Sequence, residues 1–479
     1  MKSFVLIYSC VLLSIQGINA QADAAACLAE LDNQYDKYAS IALQIWEYAE
    51  VGYKEFKSST LLQQTLRDAG FNVAPGVAGM PTAFTAEAGS GTPVIGILGE
   101  FDALPGISQT EAPERQKREG VEAGHACGHH LFGTASAAAA IALKEWLAST
   151  NTGGTIRYYG TPAEEGGGGK VYMVRAGLFD DVDVVIHWHP SNGNSADAAS
   201  SLANISAKFR FYGAASHASG APHFGRSALD GVEAMNYMVN LMREHIPMES
   251  RTHYVITSGG EAPNVVPEFA EVYYYSRHPE MSQAKENFDW IVKTAEAAAM
   301  GTQTRVEYEI VNGVFNVLPN EVLSKVMYRN LNTVGGVSYS EEEKAYAAKL
   351  RESLVNPDAN FENARIVTPF KVVEKGTGGS TDVGDISWNV PTVGLRVATW
   401  VPGTSAHSWQ AVAAGGTSIG TKGMLVAAKT MTLTAIDMFS DPDLLVRARE
   451  EFDRRRGKNF AYEALVGDRE APLDYRDDE

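Results

Sequence analysis

The chain is 479 residues long, 45% hydrophobic and 20% charged, and 40 basic against 58 acidic side chains leave it a net charge of −18. That length exceeds what one ordinary core fills, so at least two domains are expected. The negative excess, with its one arginine cluster (Arg454 to Arg456) set among charges of both signs, argues against a nucleic-acid partner.

In chain order, residues 1–20 read as a signal peptide: Lys2, an apolar stretch from Phe4 to Ile15, then Ile18-Asn19-Ala20 as a cleavage site. The mature chain is therefore expected to be secreted or periplasmic. No later segment approaches the roughly 18 uninterrupted apolar residues of a membrane span. Export leaves Cys27 and Cys127 as the only thiols. An oxidising compartment permits a disulfide between them, but the histidines around Cys127 make coordination the better explanation of that residue.

Residues 25–70 carry a helical stripe, with Ile41, Ile45 and Tyr48 at i, i+4 and i+7 and Trp46 beside it. Strands are then expected at Val94 to Leu98, Gly154 to Tyr159 and Val182 to His187, with a helix at Ala135 to Leu147. This alternation implies an α/β sheet with helices on both faces. From about Asn204 the texture changes. Strands at Ile205 to Phe211, His253 to Thr257, Glu271 to Ser276 and Arg305 to Val311 are interleaved with helices at Ser227 to Glu244 and Gln283 to Ala299. That β-α-β-β-α-β order resembles a ferredoxin-like unit inserted over 204–314. The first domain, 25–203, resumes over 315–440, where Ser340 to Glu343 form a capping box. Residues 441–479 hold 12 acidic and 8 basic side chains and are expected to be a solvated helix and tail without chemistry.

The segment Gly124-His125-Ala-Cys127-Gly-His129-His130 packs three imidazoles and a thiol into six residues, just before a run of small residues. Thiolate and imidazole are preferred ligands of borderline metals such as zinc, and Cys127 and His129 are spaced so that both can face one centre. Glu164 and Glu165 follow a strand, at the end of a sheet where α/β active sites gather. Adjacent carboxylates point apart, so one can bind a metal while the other serves as general base. Asp183 to His189 is an apolar strand ending in His187 and His189, one of which is expected at the same edge. His407 lies on a polar loop after the strand Val393 to Val397. Asp102, in Gly99-Glu100-Phe-Asp102-Ala-Leu-Pro105, follows the strand 94–98, where a carboxylate can orient a ligating imidazole.

The set Glu-Phe-Asp-Ala-Leu-Pro, His-Ala-Cys-Gly-His, Pro-Ala-Glu-Glu-Gly, Trp-His-Pro and the late histidine resembles the metal-dependent amidohydrolases of the aminoacylase and carboxypeptidase-G type. The wording Gly-Thr-Pro-Ala-Glu-Glu-Gly-Gly-Gly-Gly-Lys170 and Gly-Ser380-Thr-Asp382-Val-Gly-Asp385-Ile-Ser-Trp is most similar to the branch that holds the aminobenzoyl-glutamate hydrolases. The resemblance runs from about residue 30 to 465. It implies a zinc-peptidase-like catalytic domain with a mixed sheet flanked by helices, plus a dimerisation lid. It also implies two divalent metal ions, zinc or manganese, with Cys127, His129, Glu165, His189 and His407 as ligands and Glu164 as general base. His189 is preferred to His187 because it belongs to the Trp-His-Pro wording. In the lid, the resemblance makes the partner subunit's His217 an oxyanion stabiliser, and Asn264 and Arg277 the holders of the substrate's carboxylate. His130 stands where the family usually carries Asn or Asp, placing a third imidazole beside the metals.

The implied function is cleavage of an amide bond in a small N-acyl amino acid or dipeptide by an exported homodimer. Two rivals are a cysteine amidase with Cys127 as nucleophile and a silent metal- or ligand-binding protein.

Overall fold

The computed structural model of the protein describes residues 24–477; the signal-peptide reading lies outside them. Two sheets with separate cores organise the chain. The strands are β1 Asn72–Pro75, β2 Phe84–Ser90, β3 Val94–Gly99, β4 Gly154–Gly160, β5 Val184–Ser191, β6 Ala198–Ala199, β7 Ala203–Tyr212, β8 Arg251–Ser258, β9 Phe269–His278, β10 Arg305–Val314, β11 Val372–Val373 and β12 Thr392–Ala398. The larger sheet is mixed, in the order β1-β2-β4-β3-β5-β12. Strands β4, β3, β5 and β12 run parallel, while β1 and β2 form an antiparallel edge.

Strand β3 is buried at all six positions, as a near-continuous apolar run in a parallel sheet requires. Helix His129–Thr150 packs on β3, β4 and β5 and against helix Ser418–Ser440. Every residue from His129 to Leu143 is buried, and the alanines are what allow two helices and a sheet to meet there without voids. The helix starts six residues earlier than the alanine run suggests, because Gly128 ends the preceding turn with φ +78°. The α/β fold with a mixed sheet flanked by helices agrees with the expectation.

Residues 203–314 form the second sheet, antiparallel, in the order β10-β7-β9-β8. Helices Ala228–Met242 and Met281–Thr302 pack on it and on each other. Its core holds Phe209, Phe211, Met235, Val272, Tyr274 and Ile291. On helix Ala228–Met242, Met235 and Met242 are buried, while Leu241 faces out.

The C-terminal region departs from expectation. Helix Pro442–Arg456 forms with Asp441 as its N-cap, but the tail after it is anchored to the body of the protein at several side chains. Tyr462, Val466, Arg469 and Tyr475 pack or hydrogen-bond across both sheets' domains. Charge-rich composition hid this, since its aromatic and arginine anchors are few and widely spaced. Cys27 and Cys127 are both free thiols, and Cys27 donates to the carbonyl of Ala142. Among the described residues no helix is long and apolar enough to cross a membrane.

Candidate metal centre

Five segments deliver their side chains to the carboxyl ends of the parallel strands, where loops leave an α/β sheet and ligands bind. Glu100 and Asp102 follow β3, Glu164 and Glu165 follow β4, and His189 lies on β5. His407 comes from the loop after β12, and Cys127 and His129 stand at the start of helix His129–Thr150. Two loop residues hold left-handed backbone, Ala163 at φ +55° and His407 at φ +57°. Such strain persists where surroundings impose it. Here the Ala163 N–H donates to Glu55 Oε1 at 2.8 Å, and the His407 N–H donates to the Ala126 carbonyl at 3.0 Å.

The ring orientations are set from behind. His129 Nδ1 lies 2.8 Å from Asp102 Oδ1, leaving Nε2 to face Glu100 Oε2 at 3.1 Å. His189 Nδ1 lies 2.7 Å from the adjoining Pro190 carbonyl, and its Nε2 faces Cys127 Sγ at 3.4 Å. His407 Nε2 is 3.3 Å from Glu165 Oε1. Asp102 also accepts the Glu165 N–H at 2.9 Å, so one buried carboxylate orients an imidazole and anchors the glutamate loop. This is the outer support that ligating histidines usually have.

Three groups of possible donors have their ligand atoms within 4.8 Å of one another: Cys127, His129 and His189; Cys127, Glu165 and His407; Glu100, His129 and Glu164. Cys127 and His129 are each shared, so the groups adjoin. Among the described residues, Glu100 Oε2, His129 Nε2 and Glu165 Oε1 are buried without a well-formed hydrogen bond; they face only other possible donors, Glu100 Oε2 and His129 Nε2 each other at 3.1 Å and Glu165 Oε1 the ring of His407 at 3.3 Å. Buried carboxylates and imidazoles crowded on one thiol in this way fit divalent metal ions.

Electrostatics follow from this crowding. Burial opposes charge on His129, but Cys127, Glu100 and Asp102 outweigh it and raise its proton affinity well above the usual imidazole value. Burial, then Glu100, Glu165 and Asp382, push the Glu164 carboxyl well above its ordinary range. Burial likewise pushes the Cys127 thiol up.

His187 lines the same cleft but belongs to none of the three donor groups. His130 turns away from the donors, a correction to the expectation of a third imidazole beside them. Its Nε2 lies 3.0 Å from the Gly415 carbonyl and its ring 4.8 Å from that of His125, and burial drives its pKa down to about 3. The i, i+1 step on a helix turns consecutive side chains about 100° apart, which is why His129 and His130 diverge.

His217, Asn264 and Arg277 do not line the cleft of about 530 Å³ onto which Cys127, Glu164, Glu165, His189 and His407 face. His217 and Asn264 are exposed and neighbours, joined by the Ala218 N–H donating to the Asn264 carbonyl at 3.0 Å. Arg277 lies on β9 over the Tyr275 ring, with its Nε buried and unpaired.

Residue-by-residue reading missed three functional positions. Lys170, fully buried, places its Nζ 2.7 Å from both Glu100 Oε1 and Asp382 Oδ1, offsetting negative charge beneath the donors. Only its place in the Gly-Gly-Lys wording hinted at it. Glu100 stood in a quoted motif but was given no role. Arg396, opposite His189 in the β5–β12 register, lines the cleft and is exposed; an isolated arginine in a strand carries no signal.

Residues 96–411 match the model of Peptidase family M20/M25/M40. The chain belongs to this peptidase family. It is a hydrolase of amide or peptide bonds. It is 42% identical to the B-type chain of p-aminobenzoyl-glutamate hydrolase from Escherichia coli (strain K12), over 88% of this chain and 92% of that protein. It is 31% identical to the Xaa-Arg dipeptidase of Mus musculus, over 88% and 90%. Among solved structures, an aminobenzoyl-glutamate utilization protein from Klebsiella pneumoniae shares the fold with a TM-score of 0.61 at 17% identity, over 85% of this chain and 97% of that one. A dinuclear metal binding peptidase of the M20 family from Bacillus subtilis gives 0.57 at 16% identity, over 85% and 99%.

Proposed function

We propose that this M20/M25/M40 peptidase is an exported, homodimeric amidohydrolase that cleaves an N-acyl amino acid or dipeptide, aminobenzoyl-glutamate-like substrates included. The convergence of Cys127, His129, Glu165, His189 and His407 around one cleft, with Glu164 beside them, is the observation that carries this reading. These five residues would hold two divalent ions, zinc or manganese. When bound, such a pair would polarise the scissile carbonyl and acidify water in the cleft. Glu164 acts as general base: its carboxylate takes a proton from the attacking water and delivers it to the leaving amide nitrogen. The raised proton affinity imposed by burial and its acidic neighbours suits a group that must hold that proton between the two steps.

Asp102 keeps His129 in one tautomer and Glu165 in place throughout. The partner subunit's His217 is assigned to the oxyanion, and Asn264 and Arg277 to the substrate carboxylate. Their distance from the cleft within one chain is consistent with a site completed across a dimer. A cysteine amidase would leave Glu165 and His407 idle, and burial raises the proton affinity of the Cys127 thiol, the opposite of what activates a nucleophile.

Hydrolysis of a mixed N-acyl-amino-acid and dipeptide panel, read by mass spectrometry, tests the reading. Cleavage lost with EDTA and restored by zinc or manganese is expected. Cleavage that survives EDTA but not thiol alkylation would sink it in favour of the cysteine amidase. Metal uptake without turnover of any substrate would favour the binding-protein reading. N-terminal sequencing of exported protein beginning near residue 21 checks export.

A further inference from the structure

The loop bearing Glu164 and Glu165 runs into Gly166, Gly167, Gly168 and Gly169, the most conformationally free stretch in the chain. Its turn is closed by its own N–H groups, from Gly166 to the Glu164 carbonyl and from Gly167 and Gly168 to that of Ala163, and is fixed further by hydrogen bonds from outside. Tyr53 Oη donates to the Gly167 carbonyl at 2.9 Å, and Asp102 and Glu55 accept the N–H groups of Glu165 and Ala163. The remaining anchor is the C-terminal tail. Arg476 Nη2 donates to the Glu165 carbonyl at 2.6 Å and Tyr475 Oη at 3.3 Å. Among the described residues, both hydrogen bonds that reach this carbonyl come from the tail. Tyr475 also stacks edge-on against Tyr53 at 5.6 Å, and Asp477 pairs with Lys54.

On the way to that loop, the tail crosses the junction between the two domains. Tyr462 Oη donates to Asp385 Oδ1 at 2.8 Å. Leu465 fills the space over Gly313, where a Cβ would come within 2.5 Å of its own. Arg469 donates to the Ile310 carbonyl at 2.7 Å and to the Val311 carbonyl, both on β10, the strand by which the chain leaves the lid. One segment thus ties the back of a candidate metal ligand to the exit strand of the lid.

We infer that residues 457–477 are a positioning strap: Tyr475 and Arg476 hold the Glu165 peptide in its ligating position, and Arg469 couples that position to β10. This rests on the reading of Glu165 as a metal ligand. Glu165 is clamped on both sides, by Asp102 on its N–H and by the tail on its carbonyl. Loss of the tail clamp frees the glycine run without touching any donor atom.

The test compares wild type, Arg476→Ala, Tyr475→Phe, Arg476→Lys and a chain ending at Glu470, which keeps the Arg469 anchor. Amide exchange of residues 163–168 is followed in metal-free protein, and zinc affinity by competition with a chromophoric chelator. Faster exchange in that loop is expected for Arg476→Ala and for the shortened chain, with zinc affinity weakened about tenfold, as for other supports of metal ligands. Arg476→Lys, which keeps a donor, should recover part of both. Unchanged loop exchange in Arg476→Ala would overturn the strap even if the shortened chain fails to fold. Faster exchange with zinc affinity held within about twofold of wild type, well below the usual effect of such supports, would overturn the positioning role. Wild type that takes up neither zinc nor manganese would overturn the metal reading of the site, while the exchange result would still decide whether the strap exists.

Discussion

In the proposed mechanism, Glu164 is the residue on which catalysis turns. Glu164→Gln keeps the side chain's volume and removes its proton affinity. It is expected to lower kcat by about 10²–10⁴-fold, the usual worth of general-base catalysis, with metal content by elemental analysis unchanged. Full activity in a metal-loaded Glu164→Gln would refute the assignment. Lys170 is the second decisive residue. Its ammonium is buried between Glu100 and Asp382, so Lys170→Ala leaves two carboxylates without their cation. Breaking a buried ion pair from one side costs about 3–5 kcal/mol. Urea unfolding should show a loss of that size, and Asp382→Asn added to Lys170→Ala should recover part of it.

At the scale of elements, the junction between β10, the short helix Val383–Ser387 and the tail is organised by Asp385. Its carboxylate accepts from Tyr462 Oη at 2.8 Å and from the Phe315 N–H at 3.1 Å. Burial nonetheless raises its pKa to about 7, with Asp382 adding to the rise and the two hydrogen bonds opposing it. The folded chain therefore keeps a proton that the unfolded chain releases near pH ~4. Its stabilising contribution is full below that pH and is lost as pH climbs through about 7. Asp385→Asn cannot titrate, so its melting temperature should fall less steeply than wild type's between about pH 4 and 7, measured by calorimetry. Parallel slopes would show that other groups set the pH dependence.

At the scale of the whole molecule, the sheet of residues 203–314 ends on β8, beyond which no strand pairs among the described residues. Beside it stand exposed Val255 at 56% and, on helix Ala228–Met242, Tyr237 at 67%. Unpaired edges flanked by apolar side chains are what native proteins normally cover. In the proposed homodimer, the lid of a second copy is the expected cover. Sedimentation equilibrium should give close to twice the mass of one mature chain. Lysines at Val255 and Tyr237 should yield a monomer that keeps its metal content but loses most activity, because His217, Asn264 and Arg277 no longer reach the other copy's cleft. A fully active monomer would refute the shared site.

Much of this molecule is written locally. The apolar runs at 94–98 and 184–186 can only be buried strands, and donors placed just after such strands share an edge of the sheet because parallel strands all end there. Strand ends pointed to Glu164, Glu165, the His187/His189 pair and His407, and only the family resemblance grouped Cys127, His129, Glu165, His189 and His407 as one ligand set across 280 residues of chain. The β-α-β-β-α-β order of 203–314 was legible for a similar reason, since alternating and 3.6-residue periods report burial one element at a time. Tertiary structure alone decided the rest. His130 differs from His129 only in which way one helical step points it. Lys170 acquires its role from Glu100 and Asp382, 70 residues before it and 212 after. The tail's role depends on a backbone carbonyl, which has no residue identity and leaves no mark in the sequence. Periodicity and composition fix what each segment buries, whereas ion pairing, ring direction and hydrogen bonds to main chain depend on neighbours that only the folded chain supplies.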